Sequence, residues 1–355
     1  MMDAPASEVG KPQDPSCRLG TWGFGLAAVF ILLGPHVFGQ DIHFSQFFNT
    51  PYASGPASIG AFDGDYRAGG VFRQQWRSVT EPYRTFGLGG DAANVGGVEG
   101  LGAGIQLFND RAGDSRLNTF QVTLGASWTV KLDHAGQQHL TGGLQFGYTA
   151  LSIDYSRLSF DSQYNGFYYD PSRATNEQFT ASTLGHTDVH AGIGYRYAPN
   201  KREQMQASFA LFNLTTPNVA FNTGSDSPLD RRGVLNIITS FPVSAKVDVR
   251  PMAQYMGQGT YRELDLGGAV RYILLDRFSY WRTVMAGMYW RASDAGYLFA
   301  GSEYDDWTVG ISYDLNFSDL VPASRHLGGI ELTAVRVFRK KPPVPCRYKA
   351  CPTQL

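Results

Sequence analysis

Phe120-Gln121-Val122-Thr123-Leu124-Gly125-Ala126-Ser127-Trp128-Thr129-Val130-Lys131 alternates without a break between apolar and polar or small side chains. Successive side chains of an extended chain point to opposite faces. The stretch therefore reads as one strand, with Phe120, Val122, Leu124, Ala126, Trp128 and Val130 on one face and Gln121, Thr123, Gly125, Ser127, Thr129 and Lys131 on the other. The same period returns at Leu140, Gly142, Leu144, Phe146, Tyr148 and Ala150, at Val189, Ala191, Ile193, Tyr195 and Tyr197, and at Trp307, Val309, Ile311, Tyr313 and Leu315. No 3.6-residue stripe of comparable length interrupts it after Gln40.

Extended along the chain, the pattern predicts strands at 64–76, 83–93, 98–109, 115–132, 139–154, 184–198, 203–214, 231–242, 245–257, 260–275, 280–292, 295–303, 305–316 and 327–338. These number about fourteen, each near the roughly 9–11 residues that a tilted strand needs to cross a bilayer. The polar faces are rich in Gly, Ser, Thr and Gln, as a wet lumen requires. The apolar faces often end in an aromatic: Trp76, Tyr148, Tyr197, Tyr272, Trp290, Tyr313 and Phe338. Aromatic girdles of this kind flank the apolar band of outer-membrane barrels. In hydrocarbon every backbone donor and acceptor must pair internally, so such a sheet must close. The fold expected is all-β, a transmembrane outer-membrane β-barrel of antiparallel strands; a soluble β-sandwich is the alternative.

Composition excludes other classes. Among 355 residues, 30 Lys and Arg face 31 Asp and Glu, for a net charge of −1, and charged residues make up only 17%, below the roughly 25% of soluble proteins. There are 41 glycines, and aromatics reach 14%. That mix is wrong for a soluble α/β enzyme and too aromatic for a disordered chain. The longest apolar run, 22–33, falls short of the ~20 residues a membrane helix needs. The balanced charge gives no support for nucleic-acid binding.

The run at 22–33 instead suits the apolar core of a cleavable signal peptide, with Lys11 and Arg18 ahead of it and Pro35 breaking it. Val37-Phe38-Gly39 offers small residues at alternate positions, so cleavage is expected before Gln40. After cleavage only Cys346 and Cys351 remain; they close a small local disulfide loop in an oxidising compartment or stay as two thiols. The expected parts are a signal peptide and pre-region over 1–39, a periplasmic or plug-like segment over 40–63, the barrel over 64–338, and a basic tail over 339–355. With an even strand count the tail would emerge on the periplasmic side, beside the N-terminus. The longest breaks, 155–182 and 215–230, are expected to be outer loops. The first carries Tyr155, Tyr164, Phe167, Tyr168 and Tyr169, either as a recognition surface or packed into the lumen.

Several ordered motifs accompany this pattern. They are Phe44-Ser45-Gln46 followed by Asn49 and Pro51, then Arg73-Gln74-Gln75-Trp76, then Asn213-Leu214-Thr215-Thr216-Pro217. Leu264-Asp265-Leu266-Gly267, Ser312-Tyr313-Asp314 and Gly328-Gly329-Ile330-Glu331 follow, and Cys351-Pro352 closes the tail. In sum they resemble the PorP/SprF family, outer-membrane components of the type IX secretion system of Bacteroidetes. The family's Asn-Pro-Ala start is altered here by the inserted Thr50. Pro217, which lacks a ladder donor, is expected to end a strand. Arg73 and Trp76, three apart, are expected on opposite faces.

The resemblance implies a non-enzymatic barrel serving protein secretion, surface display or gliding motility. Its implied partners are secreted adhesins with type IX C-terminal domains, other secretion components, and a periplasmic peptidoglycan-binding tether. A lumen of this strand number is too small for exported proteins, so a carrier or anchor is expected rather than a conduit. The alternative function is a channel for a small solute or hydrophobic ligand. Asp188 and His190 share a parity, with Ser182 just before them, but no motif fixes an acyl-transfer geometry. His43, His134, His139, His186 and His326 are scattered singly and suggest no metal site. The Gly87–Gly90 and Gly100–Gly104 runs lie in strands without a following helix, which removes the phosphate-loop reading. No catalysis and no cofactor are expected.

Overall fold

Each alternating stretch forms a strand in the computed structural model, which describes residues 42–51, 53–77, 81–177, 180–222, 224, 226–277, 280–317 and 326–339. The first seven strands are β1 (Tyr66–Gln75), β2 (Tyr83–Ala92), β3 (Leu101–Ala112), β4 (Leu117–Lys131), β5 (Gln138–Ser152), β6 (Thr183–Tyr197) and β7 (Gln204–Phe212). The second seven are β8 (Arg232–Pro242), β9 (Val247–Gln258), β10 (Tyr261–Arg277), β11 (Tyr280–Arg291), β12 (Ala295–Tyr304), β13 (Trp307–Asn316) and β14 (Leu327–Phe338). Each pairs antiparallel with its sequence neighbours, and β1 pairs with β14 from Tyr66 opposite Phe338 to Gln75 opposite Gly329. The sheet is a closed barrel. Among the described residues no helix is long and apolar enough to cross a membrane.

The alternation is turned inside out relative to a soluble core. Leu124, Trp128, Leu144, Phe146, Ile193, Leu298 and Ile311 are exposed on the outer surface, while Thr123, Ser127, Thr141, Gln145, Asn236 and Ser312 are buried. Such a belt is stable against hydrocarbon and not against water. The two longest connections, 153–182 and 213–231, lie on the rim opposite the one where β1 begins and β14 ends. Long loops belong outside and short turns to the periplasm, so we call that rim external and the other periplasmic. On the periplasmic rim arginines are held between girdle rings. The Arg282 guanidinium lies 4.2 Å from the Tyr304 ring and 5.9 Å from that of Tyr280. Arg336 lies 5.2 Å from Trp307 and 4.7 Å from Phe338.

Three local expectations need correction. β3 begins at Leu101 rather than 98, because Gly96, Gly97 and Gly100 take positive φ. Trp76 does not end the apolar face of β1 or oppose Arg73 across it. It leaves the strand at φ 53 and meets the Tyr83 ring edge-on at 4.6 Å. β7 is ended by Asn213, which adopts φ 58 directly after Phe212, and not by Pro217 further on.

The described aromatics at the tip of loop 153–182 face outward and are not folded into the lumen. Phe167 is 91% exposed, with Tyr164, Tyr168 and Tyr169 exposed beside it.

Candidate functional site

Residues 42–63 lie within the barrel, threaded between inward side chains from rim to rim. Near the external rim the carbonyl of Ile42 accepts from Arg232 at 3.0 Å. Midway, Ser54 offers its carbonyl to Asn236 at 3.3 Å. Toward the periplasmic rim Ser127 donates to the carbonyl of Ile59 at 2.6 Å, and the Gly60 amide donates to Asp91 at 2.7 Å. The described residues of the segment thus lie inside the barrel. Ile42 sits at the rim opposite the C-terminal end of β14. The cause is polar: the inward faces carry charges that this segment satisfies.

The densest of these contacts joins motifs far apart in sequence. Both carboxylate oxygens of Glu331 accept backbone amides of the plug, Ser45 and Gln46, each at 2.8 Å. Arg73 donates to Glu331 at 2.9 Å, to Asp314 at 3.0 Å and to the Ser45 hydroxyl at 2.8 Å. That hydroxyl donates in turn to Asp314 at 2.8 Å, so Ser45 uses its one donor and its acceptor capacity together. The Gln46 amide donates to the Glu331 carbonyl at 3.0 Å and accepts from Thr333 at 2.7 Å and from Asn49 at 3.2 Å. Phe44 stacks on Phe108 at 5.5 Å. On the opposite wall Phe47 and Phe48 pack against Tyr289, with Phe48 also edge-on to Phe299 at 5.0 Å.

Phe44, Ser45, Gln46, Asn49, Arg73, Asp314 and Glu331 therefore converge. Gln75 and Gly329 face each other at the β1–β14 seam above them, where a side chain on Gly329 would strike the Gln74 carbonyl at 2.8 Å. Pro51 lies lower in the plug, its carbonyl accepting from Ser58. Tyr313 points outward to the apolar belt while its neighbour Asp314 points in. Asn213, Leu214 and Pro217 form a separate element. The Asn213 amide donates to His190 Nδ1 at 3.1 Å, the Leu214 amide to the Val189 carbonyl at 3.1 Å, and Pro217 accepts from the Leu229 amide at 2.9 Å. Asp188 is taken by the Thr215 hydroxyl at 2.6 Å. Ser182 is exposed before β6 starts, roughly 20 Å of strand away from Asp188 at the usual rise, so these three form no catalytic set.

Sequence reasoning missed Arg291 and Glu263, and did not connect Asp265 or His43 to the cluster. Arg291, 1% exposed, lies 3.2 Å from Asp265, 3.5 Å from Glu263 and 3.4 Å from Asp314, and reaches the Ser45 hydroxyl at 3.3 Å. His43 Nδ1 lies 4.0 Å from Glu263. Two further charge groups hold the periplasmic half. Arg67 pairs with its cross-strand partner Asp91 at 2.7 Å. Asp248 receives Arg271 at 2.7 Å and also Arg202. Chemically the arrangement is a stopper: it fixes a segment in the lumen by buried charge and hydrogen bonds.

A closed barrel with an apolar outer belt, aromatic rims and a lumen filled by its own N-terminal segment has the architecture of an outer-membrane protein. The chain belongs to the PorP/SprF family of type IX secretion system membrane proteins, whose sequence profile matches residues 37–329. A search of curated proteins finds no match. Among solved structures it is similar to the toluene transporter TbuX of Ralstonia pickettii (10% identity, 82% of this chain and 94% of that one, TM-score 0.47). It is also similar to a FadL homologue of Pseudomonas aeruginosa (12%, 82% and 95%, TM-score 0.45), and to the toluene transporter TodX of Pseudomonas putida (13%, 81% and 92%, TM-score 0.44).

Proposed function

We propose that this chain is a non-enzymatic outer-membrane carrier or anchor in type IX secretion. It binds secreted adhesins through their C-terminal domains, or a periplasmic peptidoglycan-binding tether, for surface display or gliding. Membership of the family supports the setting. The single observation that carries the choice of carrier over conduit is the lumen itself: residues 42–63 occupy it and are fixed at both halves by buried hydrogen bonds. The exposed aromatics of loop 153–182 supply an external face on which a partner could bind. In this reading 1–39 is the export signal and the basic stretch 339–355 faces the periplasm; residues 1–41 and 340–355, with Cys346 and Cys351, lie outside the described residues. The motif positions in the plug and the seam serve partner binding indirectly, by holding the barrel shut.

The test is a mild-detergent pull-down of tagged protein from the native outer membrane, with mass spectrometry of what stays bound. Enrichment of proteins carrying type IX C-terminal domains, or of other secretion components, supports the carrier role. Recovery of the barrel alone, together with solute flux through it in liposomes, overturns the role in favour of a channel.

A further inference from the structure

The outer surface carries a notch near the external rim that no contact within the chain fills. It has a volume of about 320 Å³ and is lined by Phe209, Arg231, Leu235, Tyr255, Arg262 and the glycines of the strands between them. Its floor follows from register. Gly233 of β8 faces Gly257 of β9 directly, and both share the outward parity of Leu235 and Tyr255, which are themselves paired. Leu211 lies opposite Gly233 on β7, and Arg262 opposite Gly257 on β10. Across four strands the outward row therefore reads Leu, Gly, Gly, Arg. Adjacent strands lie ~4.8 Å apart, so the bare floor is two strands wide. The next row toward the bilayer centre, Phe209, Leu235 and Tyr255, forms an apolar wall.

The notch is open at its rim to two guanidiniums. Arg262 leans over the floor: a Cβ built on Gly257 would meet its Cδ at 3.3 Å and its Nε at 3.5 Å. Its Nη1 donates to the backbone carbonyls of Gly259 and Tyr261, at 2.8 and 2.7 Å. Neither Arg231 nor Arg262 is ion-paired with a carboxylate among the described residues. The Asp230 carboxylate lies at the same rim, against Gly259, and leaves one positive charge in excess.

From a two-glycine floor beside an apolar wall in the membrane belt, with the Arg262 stem over one edge and two guanidiniums without carboxylate partners among the described residues at its rim, we propose that the notch binds a phosphorylated acyl glycolipid of the outer leaflet. One acyl chain lies over Gly233 and Gly257 against Phe209, Leu235 and Tyr255. The phosphate takes charge-assisted hydrogen bonds from Arg231 and from the remaining donors of Arg262. The inference rests on the membrane setting of the barrel and on the external assignment of this rim, and not on the secretion role.

The experiment is native mass spectrometry of the purified full chain in detergent, titrated with bisphosphorylated lipid A, with the same lipid dephosphorylated, and with phosphatidylglycerol. Heat-modifiable mobility in gels confirms that each variant is a folded barrel. The expected result is preferential retention of the phosphorylated glycolipid. Arg231→Gln with Arg262→Gln should weaken it roughly thirtyfold, the combined effect of losing two surface charges beside an anionic headgroup. Gly257→Leu fills the floor with both charges intact and should also release the lipid. Equal binding of the dephosphorylated lipid, equal binding of phosphatidylglycerol, or unchanged retention in the folded double variant would overturn the proposal. None of these outcomes alters which proteins the wild-type barrel captures, so the secretion reading is tested separately.

Discussion

Arg73 and Glu331 are directly opposite each other across the β1–β14 seam and form a buried ion pair at 2.9 Å. The seam that closes the barrel is thus locked by charge at the height where the plug enters. The Glu331 carboxylate is shared between the two: one oxygen serves Arg73 and the Ser45 amide, the other the Gln46 amide.

Replacing Glu331 by Gln keeps the shape but leaves the Arg73 guanidinium with Asp314 as its only carboxylate partner. Breaking a buried pair from one side costs roughly 3–5 kcal/mol, and the retained Asp314 contact places this variant near the lower end. Thermal loss of heat-modifiable mobility should come earlier than in wild type. Arg73→Gln combined with Glu331→Gln should cost less than the sum of the two single changes, because the pair is then removed together, while Asp314 keeps Arg291 at 3.4 Å.

Gly143 lies where the plug crosses β5, and a Cβ there would meet the Pro56 carbonyl at 2.4 Å. Gly143→Val should unseat residues 55–60 at a cost of about 1–3 kcal/mol for overpacking, without opening the strand ladder. Limited proteolysis should cut near Pro56 in the variant and not in wild type, while circular dichroism retains its strand signal.

Ion conductance in planar bilayers should be near zero for the full chain. Deleting residues 42–60 exposes the inward Thr, Ser, Gln and charged side chains to water and should give discrete conducting steps. A full chain that conducts as well as the deletion would contradict the stopper.

The strands are legible in sequence because a membrane barrel obeys one rule along its length: apolar outward, polar inward, with a period of two. The motif residues Ser45, Gln46, Arg73, Asp314 and Glu331 can be singled out one by one, but their convergence cannot. Ser45 and Glu331 are 286 positions apart, and no local spacing encodes a meeting across a lumen. Arg291 and Glu263 escape notice, and His43 stays unconnected to them, for the same reason. One signal is available: Arg73, Asp314, Glu331, Arg291, Glu263 and Asp265 all fall on inward parity within a few residues of the same rim. Counting charges by parity and by height would group them. The end of β7 is easily misplaced because a proline is conspicuous in sequence, whereas the left-handed turn of Asn213 is not.

The plug also bears on how the protein is made. Ser45 and Gln46 precede every strand, while the carboxylate they require is on the last one. During assembly those two amides lack this acceptor until β14 is laid beside β1, so this part of the stopper is fastened last, whereas Asn236, Ser127 and Asp91 can hold the rest of it before the wall is complete. A barrel unzipped along that seam would release the Ser45 and Gln46 amides in the same event. Lateral opening and loosening of the plug around Ser45 and Gln46 are thereby coupled.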